Sequence, residues 1–407
     1  MAEYGIYTFT LSVIGVLIAG TALGLPQSII YYIGRKEITF REIISVIIIL
    51  WSIFSFLIFI LIYFFTDQIL NLFSGFNNPI LLILVLVIFM IKLFDYLLNA
   101  LIRAYQFFSF FNIRRVAESV VFILFIFIAV LLSEQNVIGF LLIYTTISAL
   151  SLGLLFFFLY RKNPEGRGAY GLKPDKVKKL LTFGSKSYLQ NLMGFLNYQM
   201  SVLFLALLMD SWNVGIYSVA VSIASMILFI PDTLGTVFLP YLTSLKNDQE
   251  IHQATASILR NMLVILFLGI VILFLIGKLI IHYLYGINYM PSYYPMMIIF
   301  PGMIFLSLYK ILTRNFTSRN KQHYSIIVSL STLFINVPLN IILIKQFGIY
   351  GAVFASTLSF IFAGIFLLSY FKIQSGMSLK EILVIKKEDI QFYKKLVLDY
   401  KTKLAGS

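Results

Sequence analysis

Cysteine is absent from this 407-residue chain, and histidine occurs only three times. The absence of cysteine excludes disulfides, thiolate nucleophiles and cysteine-ligated metal centres. Three scattered histidines also argue against a histidine metal site. We therefore predict a chain with no metal centre and no cofactor, and the composition leaves coupling to H⁺ or Na⁺ open.

Charged residues are scarce as well. They make up 12% of the chain, against roughly a quarter of a typical soluble domain, whereas hydrophobic residues make up 60%. The mean hydropathy is +0.94, so lipid should be the solvent of most of the chain. The net charge of +14 could indicate a nucleic-acid partner. The basic residues lie between apolar stretches, however, where membrane topology accounts for them, and we predict no nucleic-acid partner.

Long apolar stretches recur with short polar breaks. A helix needs about 20 apolar residues to cross the hydrocarbon core, and open sheet edges are not tolerated in lipid. The sequence therefore predicts an all-α, polytopic membrane helix bundle. We place eleven spans, in groups of five and six, near residues 7–33, 42–65, 79–103, 113–132, 138–160, 180–209, 214–245, 258–285, 293–314, 323–344 and 350–372.

Basic residues occur in alternate loops. The loops and segments that contain them lie at 35–41, 114–115, 161–179, 246, 319–321 and beyond 372. The loops without them lie at 66–78, 133–136, 211–213 and 286–292. Because Lys and Arg are retained on the cytoplasmic side, we predict a multi-pass protein of the cell inner membrane with a cytoplasmic C-terminus.

The chain also repeats itself. Gly5 recurs as Gly215 at an offset of 210, and three further landmarks keep nearly the same offset: Gly24 with Gly235, Arg103 with Arg314, and Gly139 with Gly351. A nearly constant offset predicts two parallel pseudo-repeat lobes. The expected domains are an N-terminal lobe (1–160), a cytoplasmic linker (161–178), a C-terminal lobe (179–373) and a cytoplasmic tail (374–407). The span at 180–209 has no counterpart in the first lobe, so the first helix of a six-plus-six arrangement is expected to be missing.

Ionisable residues inside the predicted spans are candidates for function, because lipid penalises charge. Lys92, Asp95, Asn99 and Arg103 follow three- and four-residue steps, which place them on one helix face. We read them as part of a cationic cavity for an anionic substrate. Two alternatives stay open: Arg103 and its repeat counterpart Arg314 could reach the interface as anchors, and Lys92 could be neutralised by Asp95.

The second half offers similar residues. Lys186, Lys310 and Arg314 complete the predicted substrate-binding set, with Lys310 and Arg314 aligned to Asn99 and Arg103 by the repeat. Asp232, like Asp95, is either a coupling or a structural carboxylate. Outside this set, Glu118 is expected to offset Arg114 and Arg115 on its own helix.

Short motifs near the starts of three spans resemble a known family. They are Glu3-Tyr4-Gly5-Ile6-Tyr7 before a span with Gly24-Leu25, Gly215-Ile216-Tyr217, and Gly348-Ile349-Tyr350-Gly351-Ala352. This pattern is similar to the polysaccharide transport family, which includes the O-antigen and capsule repeat-unit flippases of the multidrug, oligosaccharidyl-lipid and polysaccharide exporter superfamily.

The resemblance implies two helical lobes, alternating access, and transfer of an undecaprenyl-pyrophosphate-linked glycan across the cytoplasmic membrane. The expected partners are lipid-linked oligosaccharide, membrane lipids and the glycan polymerase machinery. A cation-coupled multidrug exporter of the same superfamily is the alternative. A membrane glycan-assembly enzyme would need catalytic groups in sizeable outer loops, but the loop at 66–78 offers only Asp67. We therefore predict a transporter rather than an enzyme.

Overall fold

The computed structural model describes residues 2–34, 37–72, 78–131, 136–162, 174–245, 247–319, 321–386 and 389. Within these ranges the chain is helical and contains no strand, which confirms the all-α prediction. It forms two compact units, Met1–Gly215 and Ile216–Ser407.

The first unit contains seven helices and the start of an eighth. They are α1 (Ala2–Thr21), α2 (Leu25–Gly34), α3 (Phe40–Leu72), α4 (Pro79–Ala104), α5 (Phe108–Leu131), α6 (Val137–Lys162), α7 (Pro174–Leu208) and α8 (Ser211–Ser225). Helix α4 is central, since it packs against α2, α3 and α6, and α5 packs against α6. The apolar face of α4 is fully buried, at Ile88, Phe89, Leu93 and Leu97 among others.

The second unit continues from α8 through a 3-10 turn at Met226–Leu228. Its remaining helices are α9 (Phe229–Ser244), α10 (Asp248–Ile280), α11 (Tyr293–Ser318), α12 (His323–Phe347), α13 (Ile349–Ser375) and α14 (Leu379–Leu383), with a π turn at Ile281–Tyr285 and a 3-10 helix at Ile287–Ser292 before α11. Helices α11 and α13 form its core. A Cβ atom at Gly364 of α13 would lie 2.6 Å from the carbonyl oxygen of Phe305, so only glycine permits this approach.

The first predicted span is two helices rather than one. Leu23 and Gly24 have φ angles of +47° and +69°, which interrupt the helix between α1 and α2. Gly24 also lies against α7, where a Cβ atom would overlap the carbonyl oxygen of Gly184. Ser28 donates to the carbonyl oxygen of Leu180 at 2.6 Å, so polar and backbone contacts join α2 to α7.

Nine candidate membrane spans are long and apolar enough among the described residues, against eleven predicted. The two others are helical. Helix α5 has Arg114, Arg115 and Glu118 near its start, and the apolar part of α7 is only Leu192–Leu208. The chain is therefore a multi-pass membrane helix bundle, as predicted.

The two compact units meet between Gly215 and Ile216, inside α8. Helix α7, expected to open the second lobe, packs on α1 and α2 and falls in the first unit. The reason is local, since the close approach of Gly24 to Gly184 fastens α7 there. Residues 163–173 lie outside the described ranges, so the predicted linker, like the repeat-based lobes, stays a prediction.

Candidate functional site

A polar cavity of ≈ 510 Å³ lies inside the first unit, among α1, α4, α5 and α6. We call it the charged cavity. Its lining includes four basic and two acidic residues: Lys92, Arg103, Arg114 and Arg115, with Asp95 and Glu118. Aromatic and apolar side chains complete the wall.

Helix α4 supplies one side of this cavity. Lys92, Asp95, Asn99 and Arg103 all line it, which confirms that their three- and four-residue spacing places them on one face. The opposite face of α4 is apolar and buried. The helix therefore turns its charges toward the cavity and its hydrocarbon toward the neighbouring helices.

Arg114 of α5 is the centre of a buried hydrogen-bond network. Its side chain is only 4% exposed, and Nη1 lies 2.7 Å from Oδ1 of Asp95. It also donates to Oγ of Ser151 at 3.0 Å and to Oδ1 of Asn99 at 2.9 Å. Asn99 in turn donates to Oδ2 of Asp95 at 2.8 Å. The network joins α4, α5 and α6 and satisfies a charge that lipid would otherwise penalise.

A second ion pair lies beside the first. Nζ of Lys92 is 2.7 Å from Oε1 of Glu118 and 4.6 Å from the centroid of the Tyr144 ring. Glu118 also accepts from Ser151 at 2.9 Å. The ion-pair partner of Lys92 is therefore Glu118, and Asp95, the alternative left open by the sequence, pairs with Arg114. Glu118 lies near Arg114, as expected, and its hydrogen bonds go to Lys92 and Ser151 on other helices.

Arg103 and Arg115 differ from the other two cations. Within the described part of the chain neither forms an ion pair. Arg103 donates Nε to the backbone oxygen of Asn99 at 3.3 Å, and the Arg115 guanidinium lies 5.3 Å from the Phe111 ring centroid. Since the two carboxylates are already paired, the charged cavity keeps a surplus of positive charge.

The predicted residues of the second unit have a simpler arrangement. Nζ of Lys310 lies 2.8 Å from both carboxylate oxygens of Asp232, and the two side chains are 31% and 56% exposed. Arg314 is exposed, with its guanidinium beside Gly235. Lys186 lies on α7, but its side chain is outside the described part. Whether these residues, or the carboxylates Asp95 and Asp232, bind substrate or a coupling ion stays a prediction.

A third charged cluster lies after the end of α13. Arg260 of α10 bonds to Asp389 at 2.6 Å and to the carbonyl oxygen of Glu381 at 2.6 Å. Ser257 and the backbone N–H of Lys386 also donate to Asp389. We call this set the tail clasp. The hydrogen bond from Arg260 and the other donors lower the pKa of Asp389 to about 2.

Sequence reasoning missed Arg114, Arg115, Glu118 and Tyr144 as cavity residues. It assigned the two arginines to a cytoplasmic loop at the start of the fourth predicted span, near 113, whereas the corresponding helix, α5, begins at Phe108. A usable signal existed, since Phe111, Arg115, Ser119 and Phe122 follow helical spacing and line the cavity.

Comparison with known proteins agrees with this architecture. A sequence profile described as "Polysaccharide biosynthesis protein" matches residues 1–246. A curated relative, the probable low-salt glycan biosynthesis flippase Agl15 of Haloferax volcanii, is 24% identical over 190 residues. That match covers 45% of this chain and 40% of Agl15, which is less than half the length of either protein.

Two solved structures share the fold. The lipid II flippase MurJ in its inward closed conformation has a TM-score of 0.71 and 16% identity, covering 98% of this chain and 86% of its own. An inward-facing multidrug resistance MATE family transporter of the MOP superfamily has a TM-score of 0.73 and 14% identity, covering 92% and 90%. At these identities the likeness concerns the fold alone.

Proposed function

Because this chain belongs to the polysaccharide biosynthesis protein family, we propose that it is a flippase of lipid-linked oligosaccharide in the cell inner membrane. The proposed cargo is an undecaprenyl-pyrophosphate-linked glycan, moved by alternating access from the inner to the outer leaflet. The similarity to a glycan flippase and the fold shared with a lipid II flippase support this choice. A cytoplasmic C-terminus and contact with polymerase machinery belong to the same proposal.

One observation carries the proposal: the charged cavity holds two arginines that no described carboxylate neutralises. Arg103 and Arg115 can offer planar donor pairs to phosphate oxygens, a geometry that guanidinium groups match better than ammonium groups. The internal pairs of Lys92 and Arg114 keep the carboxylates from competing for these arginines. An anionic head group would neutralise the surplus positive charge of these two arginines.

The fold shared with a multidrug transporter, together with two carboxylates in the cavity, favours a second candidate, a cation-coupled drug exporter. A cationic drug would need a carboxylate without a cationic partner, but Asp95 and Glu118 both form ion pairs with basic residues of the cavity. Resistance to cationic dyes in cells that overproduce the protein would support this second function.

The test removes the surplus charge. We expect the Arg103→Gln/Arg115→Gln variant to lose glycan export in a complementation assay, and the Arg103→Lys/Arg115→Lys variant to retain part of it. Lys345→Gln, at an exposed lysine near the end of α12, is the matched control and should export normally. Normal export by the double glutamine variant at equal protein level would overturn the proposal.

A further inference from the structure

A second cavity lies on the first unit, between α5 and α6. It measures ≈ 720 Å³ and is lined mainly by apolar side chains, among them Ile113, Val121, Phe125, Leu142, Leu150 and Leu154. Several are strongly exposed, such as Ile113 at 69% and Leu150 at 66%. We call it the α5–α6 groove. A concave apolar surface of this kind on a membrane helix pair is suited to an extended hydrocarbon chain.

The groove and the charged cavity share a wall. Arg114, Glu118 and Ile147 line both. In the first turn of α5, Phe110 lines the groove and the next residue, Phe111, lines the cavity. Only the thickness of one helix, about 10 Å, therefore separates the apolar compartment from the basic one at this end. A ligand with an anionic head and an apolar tail could place its head in the basic cavity and its tail in the apolar groove.

The groove is longer than one leaflet of the hydrocarbon core is thick. It follows α5 from Phe110 to Phe125, a rise of roughly 22 Å at 1.5 Å per residue. One leaflet of a bilayer core is about 15 Å thick, half of the total. A groove of this length can accommodate an extended hydrocarbon chain that is longer than the acyl chain of a phospholipid.

We propose that the α5–α6 groove binds the polyisoprenyl chain of the lipid-linked glycan while the charged cavity binds its phosphate groups. The inference rests on the proposed function and deepens it, because it assigns the lipid part of the substrate a site of its own. Helix α5 then contacts both parts of the substrate. Ala117 and Val121 face the hydrocarbon chain in the groove, and Arg115 faces the phosphate groups in the charged cavity.

Photo-crosslinking in native membranes tests the occupant. A benzophenone amino acid is placed at Ala117, which lines the groove, or at Val116, the next residue, which is 63% exposed and lies outside the groove lining. Mass spectrometry of the adducts should find polyisoprenyl phosphate lipids at 117 and bulk phospholipid at 116. Phospholipid alone at both positions, or contact with a second copy of this chain at 117, would overturn the inference.

A variant that fills the α5–α6 groove tests whether export depends on it. Ala117→Trp should lower export about tenfold, the effect of roughly 1.4 kcal/mol of overpacking on binding of the chain, while Val116→Trp should change it less than about twofold. Binding of inorganic pyrophosphate to the purified protein should be equal in both variants, which shows that the cavity is intact. A loss of pyrophosphate binding in Ala117→Trp would refute the separation of the two sites.

The two proposals fail differently. If Ala117→Trp exports normally while the Arg103→Gln/Arg115→Gln variant does not, the groove assignment is wrong and the flippase proposal stands. If both export normally, both proposals are wrong.

Discussion

The charged cavity and the tail clasp use the same chemistry in opposite ways. In both, an arginine with at most 6% of its side chain exposed bonds to a carboxylate at 2.6 to 2.7 Å. In the clasp, the described partners of Arg260 and Asp389 come from α10 and from the segment after α13. In the cavity, the ion pair of Arg114 and Asp95 lies beside Arg103 and Arg115, for which no carboxylate partner is described.

The difference separates charge used for structure from charge left for a ligand. A closed set of ion pairs fixes elements to one another and has no capacity for a further anion. A set with surplus cations remains electrostatically incomplete until an anion enters. We therefore expect changes within the closed pairs to alter stability, and changes at the surplus arginines to alter export alone.

The largest effect should come from Arg114→Met, because it leaves Asp95 buried without its cation. Removing one partner of a buried pair costs about 3–5 kcal/mol, and thermal unfolding in detergent should show a large loss. Adding Asp95→Asn should recover part of it. Arg115→Met, at an exposed arginine without an ion pair, is the control. Equal destabilisation by both single variants would contradict the distinction.

A smaller effect is expected for Asp389→Asn in the clasp. Hydrogen bonds to charged groups are worth about 1.5–3 kcal/mol, and the clasp joins only one short segment to α10. A spin label on Leu379→Cys, introduced into a chain without cysteine, should become more mobile, while glycan export should persist. An immobile label in the variant would mean that other contacts hold α14.

Acid should open the same clasp. The folded-state pKa of Asp389, about 2, lies below its ordinary value of 3.8. The stabilisation is therefore complete above about pH 5 and is lost progressively as the pH falls through 3.8 toward about 2. The label at 379 should gain mobility in that window, and a label on Lys345→Cys should not. Opening at neutral pH would show that Asp389 does not control the contact.

The smallest effect should follow Asp232→Asn. Its pair with Lys310 is 56% exposed on the carboxylate side, and exposed pairs contribute at most about 1 kcal/mol. The melting temperature should barely change. A loss comparable to that of Arg114→Met would place this pair with the structural ones.

Hydropathy was enough to predict the helices, because each crossing needs a long apolar stretch whatever it packs against. Spacing was enough to place Lys92 and Arg103 on one face of α4. It could not predict that Lys92 would pair with Glu118, since that contact joins two helices and depends on how each is rotated against the other. The packing of α7 on α1 and α2 could not be predicted for a similar reason: it depends on backbone contact at Gly24, which hydropathy does not encode.

The backbone contact between Gly24 and Gly184 also limits which substitutions the chain can accept at these two positions. A side chain at Gly24 would overlap the backbone of Gly184, and one at Gly184 would lie 2.8 Å from the carbonyl oxygen of Leu23. Many packing defects can be repaired by a smaller residue across the interface, but no residue is smaller than glycine. A substitution at either position therefore has no compensating partner. We expect homologues that keep the break between α1 and α2 to keep both glycines together or to lose the contact altogether.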